Sequence, residues 1–210
     1  GRNPRFTPQW QPGQWWIVEY RQLQPSLARV PPELAVDETI VTRWRYEVID
    51  LAADLGGETC QIVRAEEITD PPAPGFVELA YDPDAFCLRR IDERNRYLPD
   101  RRSLTPNDWG SVAPYVEIRQ PRETIVDLAL FPPEERTDLL RIAPPGEPEL
   151  LQTVVFPDAD TLEASMELTV RGVPLVSEQR WRRGEPWWRE ARRTVGGREM
   201  IAGRLVAFGP

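Results

Sequence analysis

The clearest pattern along the chain is a strict alternation of apolar and polar residues between positions 39 and 51. One side of an extended chain would carry Ile40, Thr42, Trp44, Tyr46 and Val48, while mostly charged residues would occupy the other side. A period of two over a dozen residues predicts a long antiparallel strand with one buried and one solvated face. Residues 14–21 show the same alternation and predict a second such strand.

Turn signals divide most of the remaining chain into further short strands. Residues 39–93 predict a meander of four strands, because Gly, Pro and Asp clusters separate its apolar runs. Residues 112–119, 123–131 and 150–156 predict strands, and the chain after residue 160 predicts four or five more. Two prolines and two glutamates at 132–135 predict a short helix running to about residue 142, since proline and acids favour a helix N-terminus.

The predicted fold class is therefore mainly β and antiparallel, with little helix. About eleven long alternating strands favour a strongly curved sheet, either a half-barrel or a barrel, and leave a two-sheet sandwich as the alternative. We expect one β-rich domain over residues 1–210, because neither side of the Pro-rich stretch 142–149 has enough strands for a core of its own. Residues 1–13 predict an irregular N-terminal lead-in.

Composition excludes several kinds of chemistry. The 210 residues include no histidine, and all 26 basic residues are arginine. Ser-His-Asp catalysis, His-ligated metals, Schiff bases and a P-loop lysine are therefore ruled out, and two cysteines cannot build a four-thiolate zinc site. The sequence favours a protein that is not an enzyme, and it predicts no metal and no cofactor.

Charge is unevenly distributed. The net charge is −8, yet residues 180–204 hold eight arginines and three glutamates. We expect most of these arginines to pair with acids elsewhere on the sheet, and an anionic small ligand or an acidic protein is the next partner to consider. Nucleic acid is not expected, because the surrounding negative charge would repel it. No apolar run is long enough for a transmembrane helix.

Tryptophan is the residue type that most suggests a binding site. The pairs Trp15-Trp16 and Trp187-Trp188 would place their two rings on opposite faces if each pair lay on a strand. Aromatic rings beside arginines suit a concave ligand-binding face. The predicted apolar lining is Trp16, Trp44, Tyr46 and Trp188, and the predicted polar contacts are Arg45, Arg182 and Arg189.

Cys60 and Cys87 both fall in predicted strands. A disulfide between them would stabilise the fold by about 3 kcal/mol, whereas two buried thiols acting as small apolar side chains are the equal alternative. A disulfide would favour a periplasmic or secreted location.

Three functions remain open from the sequence. The first is a non-catalytic binding or carrier domain whose concave face, lined by tryptophan and arginine, takes a lipid-like, glycan or anionic ligand. At the level of fold class only, the pattern is similar to that of extracytoplasmic carriers that hold lipid or acyl chains on a curved sheet. The second is a glycan-active enzyme that uses paired carboxylates such as Asp158 and Asp160. The third is a structural or interaction module of an envelope assembly.

Overall fold

A computed structural model describes residues 6–24, 38–70, 75–84, 88–95, 101–104, 138–142 and 150–210. Within these residues the protein is all β and contains no helix. The twelve strands are β1 (Trp15–Gln24), β2 (Glu38–Asp54), β3 (Thr59–Glu67), β4 (Gly75–Tyr81), β5 (Leu88–Asn95), β6 (Arg101–Leu104), β7 (Asp138–Ile142), β8 (Leu150–Asp158), β9 (Thr161–Val170), β10 (Val173–Arg182), β11 (Glu190–Val195) and β12 (Arg198–Gly209).

All twelve strands belong to one antiparallel sheet. Their order is β6-β5-β4-β3-β2-β1-β12-β11-β10-β9-β8-β7, so consecutive strands pair with each other except β6 and β7, which lie at opposite ends. Pairing of β1 with β12 brings the two ends of the described chain together in the middle of the sheet. The described strands do not close into a barrel, and β6 and β7 are the outermost of them. The mainly β, antiparallel fold class predicted from the sequence is confirmed.

Local sequence explains why the strands turn where they do. Between β9 and β10 the two-residue loop Arg171-Gly172 has positive φ angles of 51° and 79°. This conformation matches the twist of antiparallel strands and favours glycine. In the β2–β3 turn the carboxylate of Asp54 accepts a hydrogen bond of 2.7 Å from the amide of Gly57. The hairpins are therefore specified by their own turn residues.

Alternation along the strands separates a buried face from a charged one. In β2 the side chains of Trp44, Tyr46 and Val48 are fully buried, whereas Arg43 and Ile49 are exposed. The strand that the sequence predicted over 39–51 is thus confirmed and extends from Glu38 to Asp54. The same alternation continues from β1 to β4 and across β8 to β12, and it gathers the core on one side of the sheet.

That side of the sheet is concave. Tyr81 in β4 and Trp181 in β10 both contact the ring of Trp187, with centroid distances of 6.3 and 6.1 Å, so their own rings are no more than about 12 Å apart. Six strand spacings separate β4 from β10, which corresponds to about 29 Å in a flat sheet. Side chains on one face of a flat sheet run parallel, so only strong curvature brings these rings together. We call this the concave face and the opposite one the outer face.

Two sequence predictions about local structure are wrong. Residues 138–142, expected to end a short helix, form β7, because they pair along their whole length with β8. Residues 186–189, which include the pair Trp187-Trp188, were expected to begin a strand after a join at Gly184, but β11 begins only at Glu190. Both Trp187 and Trp188 are therefore buried, and the predicted opposite orientation holds only for Trp15 and Trp16, which lie on a strand.

Other predictions fall where the structure gives no description. The predicted strands 112–119 and 123–131 lie outside the described residues, as do Cys87 and the Pro-rich stretch 143–149. Cys60 is a free, buried thiol that packs on the outer face with Ile62 and Ala80. Burial raises the pKa of this thiol. Cys60 is therefore not bridged in this structure, and it fills the apolar role that the sequence left as the alternative.

Candidate functional site

A cluster of aromatic rings fills the concave face. Trp16 from β1 stacks on Tyr46 from β2, with ring planes 1° apart and centroids 5.5 Å apart. The ring of Trp187 lies 5.3 Å from that of Trp16 and 5.7 Å from that of Tyr46. The phenol oxygens of Tyr20 and Tyr46 are 3.0 Å apart and share a buried hydrogen bond. We call this set of rings, together with Trp10, Tyr81, Trp181 and Trp188, the aromatic cluster.

Two segments outside the strands supply the rings at the centre of the aromatic cluster. The first is residues 6–14, called here the N-terminal segment, which forms no strand but buries Phe6 and Trp10. Trp10 stacks on Trp16 and Trp187 at 5.6 and 6.2 Å. The second is residues 183–189, called here the Trp187 loop, which joins β10 to β11. Each of these two segments therefore packs an aromatic side chain against the concave face that the strands form.

Hydrogen bonds join the N-terminal segment to β2 at its C-terminal end and to the Trp187 loop at Trp10. The amide of Gly13 donates to the carbonyl oxygen of Val48, and the amide of Val48 donates to that of Gln14, both at 2.9 Å. The indole N–H of Trp10 donates to the carbonyl oxygen of Pro186 at 2.9 Å. This last bond ties the N-terminal segment to the Trp187 loop across the aromatic cluster.

Among the described residues of the core, four indole donors have no acceptor. The Nε1 atoms of Trp16, Trp44, Trp187 and Trp188 are buried and lack a hydrogen-bond partner, although Trp10 and Trp181 have one. A buried donor without an acceptor costs about 1–3 kcal/mol, and such groups are rare in folded proteins.

The structure brings together the aromatic residues predicted from the sequence but not the arginines. Trp16, Trp44, Tyr46 and Trp188 all lie in the concave core and are completely buried. Their role in binding a ligand stays a prediction, since none is accessible in this conformation. A platform of exposed rings, as a glycan site would use, is not formed by these four side chains.

The three predicted arginines lie elsewhere. Arg45 alternates with Trp44 and Tyr46 and so points to the outer face, where it pairs with Glu47 and lies 5.9 Å over the ring of Trp15. Arg182 is exposed on the same side. Arg189 ends the Trp187 loop and pairs with Glu185, and this hydrogen bond raises the arginine pKa. Strand alternation therefore separates Arg45 from the buried rings of Trp44 and Tyr46, and its contact with a ligand stays a prediction.

Ion pairs cover the outer face. Glu19 on β1 bridges Arg204 on β12 and Arg43 on β2, at 2.7 and 2.9 Å. The hydrogen bonds from Arg204 and then Arg43 lower the pKa of Glu19. Arginines of the basic stretch also pair with acids on neighbouring strands, namely Arg180 with Glu163 and Arg192 with Glu178. The predicted internal pairing of this stretch is confirmed.

A hollow of about 400 Å³ lies at one end of β8, β9 and β10. It brings Arg182 and Arg189 together, and Asp158 and Asp160 also line it. The pKa of Asp158 is lowered, chiefly by the hydrogen bond that its carboxylate accepts from the Asp160 backbone. A general acid for glycoside hydrolysis needs the opposite shift. This pair of acids therefore gives no support to the glycan-active enzyme.

The part of the chain that the structure describes contains neither a group of metal-ligating side chains nor a membrane-spanning helix. No three acidic, cysteine or histidine side chains in it are grouped to hold a metal ion. None of its segments is a helix long and apolar enough to cross a membrane.

Sequence reasoning missed Trp10 and Trp187, the two rings at the centre of the site. Trp10 lies between two prolines in a stretch without alternation, which on its own indicates a loop, whereas Trp187 was expected on a strand that would place it and Trp188 on opposite faces. The available signal was the presence of tryptophan in such stretches, because a large ring in an irregular segment usually needs a place to be buried. Comparison with protein-family models found no match to this chain, and comparison with curated proteins found none either.

Proposed function

We propose that this protein is a non-catalytic binding or carrier domain that takes a lipid-like ligand on its concave face. The observation that carries the proposal is the central position of Trp10 and Trp187, two rings from non-strand segments, between the wings of an open curved sheet. A ligand chain would occupy the space of Trp10 when the N-terminal segment moves away.

The energetics favour an apolar ligand for this exchange. Withdrawing a buried tryptophan from a core costs about 3–5 kcal/mol. Burying a twelve-carbon chain yields about 0.8 kcal/mol for each CH₂, or about 9 kcal/mol in all. The chain therefore offsets the loss of Trp10 and leaves free energy for binding.

The other two ligand classes receive less support. An anionic ligand would need unpaired arginine at the concave face, whereas Arg189 is paired with Glu185 and Arg45 lies on the outer face. A glycan would need an exposed aromatic platform, and the rings of Trp16, Trp44 and Trp188 are buried.

Binding of monolauroylglycerol, a twelve-carbon acyl ester, tests the proposal. With radiolabelled ligand below its critical micelle concentration, equilibrium dialysis is expected to show saturable binding near one molecule per chain. Trp10→Ala removes the ring that competes with the ligand. It is expected to tighten binding about tenfold, because the variant no longer needs free energy to displace Trp10 from the site.

The matched control is Trp15→Ala, which removes a half-buried ring on the outer face and is expected to bind like the unmodified protein. Circular dichroism establishes that each variant is folded. Absence of saturable binding by the unmodified protein would refute the proposal, whatever the variants do.

A further inference from the structure

The unpartnered indole donors indicate what kind of polar group the ligand carries. Trp16 and Trp187 both lie next to Trp10, at centroid distances of 5.6 and 6.2 Å, and are 5.3 Å from each other. Both have a buried Nε1–H without an acceptor. Trp188, 6.3 Å from Trp187, is a third such donor. A ligand that replaces Trp10 would therefore lie against apolar ring faces and next to side chains that carry unpartnered hydrogen-bond donors.

A hydrocarbon alone would leave these donors unsatisfied. A ligand oxygen within reach of one of them would form a hydrogen bond that the free protein lacks, so its whole strength would favour the complex. Oxygen acceptors occur in esters, amides, hydroxyls and carboxylates, and the charge of the site discriminates among these groups.

The concave core favours a neutral acceptor. Its aromatic cluster contains no arginine, and Arg189, at the end of the Trp187 loop, already pairs with Glu185, which is itself buried. A carboxylate entering this core would lose its hydration without gaining a cation among the described side chains. An ester or hydroxyl oxygen would accept from an indole N–H without that cost.

We infer that the ligand is a neutral lipid ester of the acylglycerol class, whose carbonyl or hydroxyl oxygen accepts a hydrogen bond from the indole N–H groups of Trp16, Trp187 or Trp188. This inference rests on the proposed lipid-binding function and specifies its ligand. It also gives a role to donors that would otherwise only destabilise the core.

Three probes with the same twelve-carbon length test the inference. Monolauroylglycerol is expected to bind at least tenfold more tightly than dodecane and than laurate at pH 8. Failure of all three to bind would refute the carrier proposal itself. Binding of dodecane or laurate as tight as that of the ester would refute only the inference about the polar group.

A pair of tryptophan variants separates hydrogen bonding from ring packing. Trp187→Phe removes an unpartnered donor together with part of the ring, and it is expected to weaken ester binding about three- to tenfold more than it weakens dodecane binding. Trp181→Phe removes a donor that already bonds to Gln179 at 3.0 Å, so it should not weaken ester binding selectively. Equal effects of Trp187→Phe on ester and dodecane would overturn the assignment of that donor. Circular dichroism establishes that both variants are folded before their ligand binding is compared.

Discussion

Gly203 is the position where one methyl group tests the packing of the aromatic cluster. A Cβ atom added there would lie 2.6 Å from the Cη2 atom of Trp188 and 2.9 Å from the Cε1 atom of Tyr20. Both rings are fully buried, so relief of the overlap requires them to move by most of an ångström within a packed core. Gly203→Ala is therefore expected to destabilise the protein by about 2 kcal/mol, in the range of other overpacked cores.

The measurement is urea unfolding followed by circular dichroism, with thermal unfolding in parallel. A loss of about 2 kcal/mol corresponds to a fall in Tm of about 4–8 °C for a chain of this length. Gly209→Ala is the matched control on the same strand. Its added Cβ would lie 2.9 Å from the ring of Trp15, but that ring is half-exposed on the outer face and can move, so we expect a change below about 0.5 kcal/mol.

Alanine in a strand normally stabilises a protein relative to glycine, because the unfolded chain becomes less flexible. The sign of the Gly203→Ala effect is therefore decisive. Equal or higher stability of this variant would show that Trp188 does not pack against β12 as described here.

Two further predictions concern the outer face. Because its two arginine partners lower the pKa of Glu19, the carboxylate stabilises the fold fully above its unfolded pKa of about 4.3, and this stabilisation is lost as the pH falls through the lower folded value. Glu19→Gln should thus cost about 1 kcal/mol in urea unfolding at pH 7 and almost nothing near pH 2, and a cost independent of pH would contradict this role. Cys60 should resist a thiol reagent in the native protein and react after denaturation without reductant, whereas a denatured chain with no reactive thiol would show that it is bridged.

The strands and their faces could be predicted from the sequence because alternation is a local property. Residues 39–51 identify β2 and its buried side without any knowledge of the neighbouring strands. The pairing of β1 with β12 could not be predicted in this way, because it joins residues nearly two hundred positions apart and no local pattern specifies the partner. Residues 138–142 show the same limit, since pairing with β8 overrides the helix signals that precede them.

The candidate site was only partly predictable for a related reason. Trp16, Trp44 and Tyr46 lie on regular strands, so their common face follows from alternation. Trp10 and Trp187 lie in segments without a period, and their positions depend on the curvature of the whole sheet. The arginines were placed beside the rings because they are neighbours in sequence, but neighbours on a strand point in opposite directions.

The central claim is that a lipid-like ligand displaces the N-terminal segment from the concave face. Amide and indole hydrogen exchange, measured by NMR with and without saturating monolauroylglycerol, tests it most directly. The amide of Gly13 and the indole N–H of Trp10, which bond to the carbonyl oxygens of Val48 and Pro186, are expected to exchange faster in the complex, while amides in the β3–β4 pairing keep their protection. Ligand binding that leaves Gly13 and Trp10 as protected as in the free protein would contradict the account.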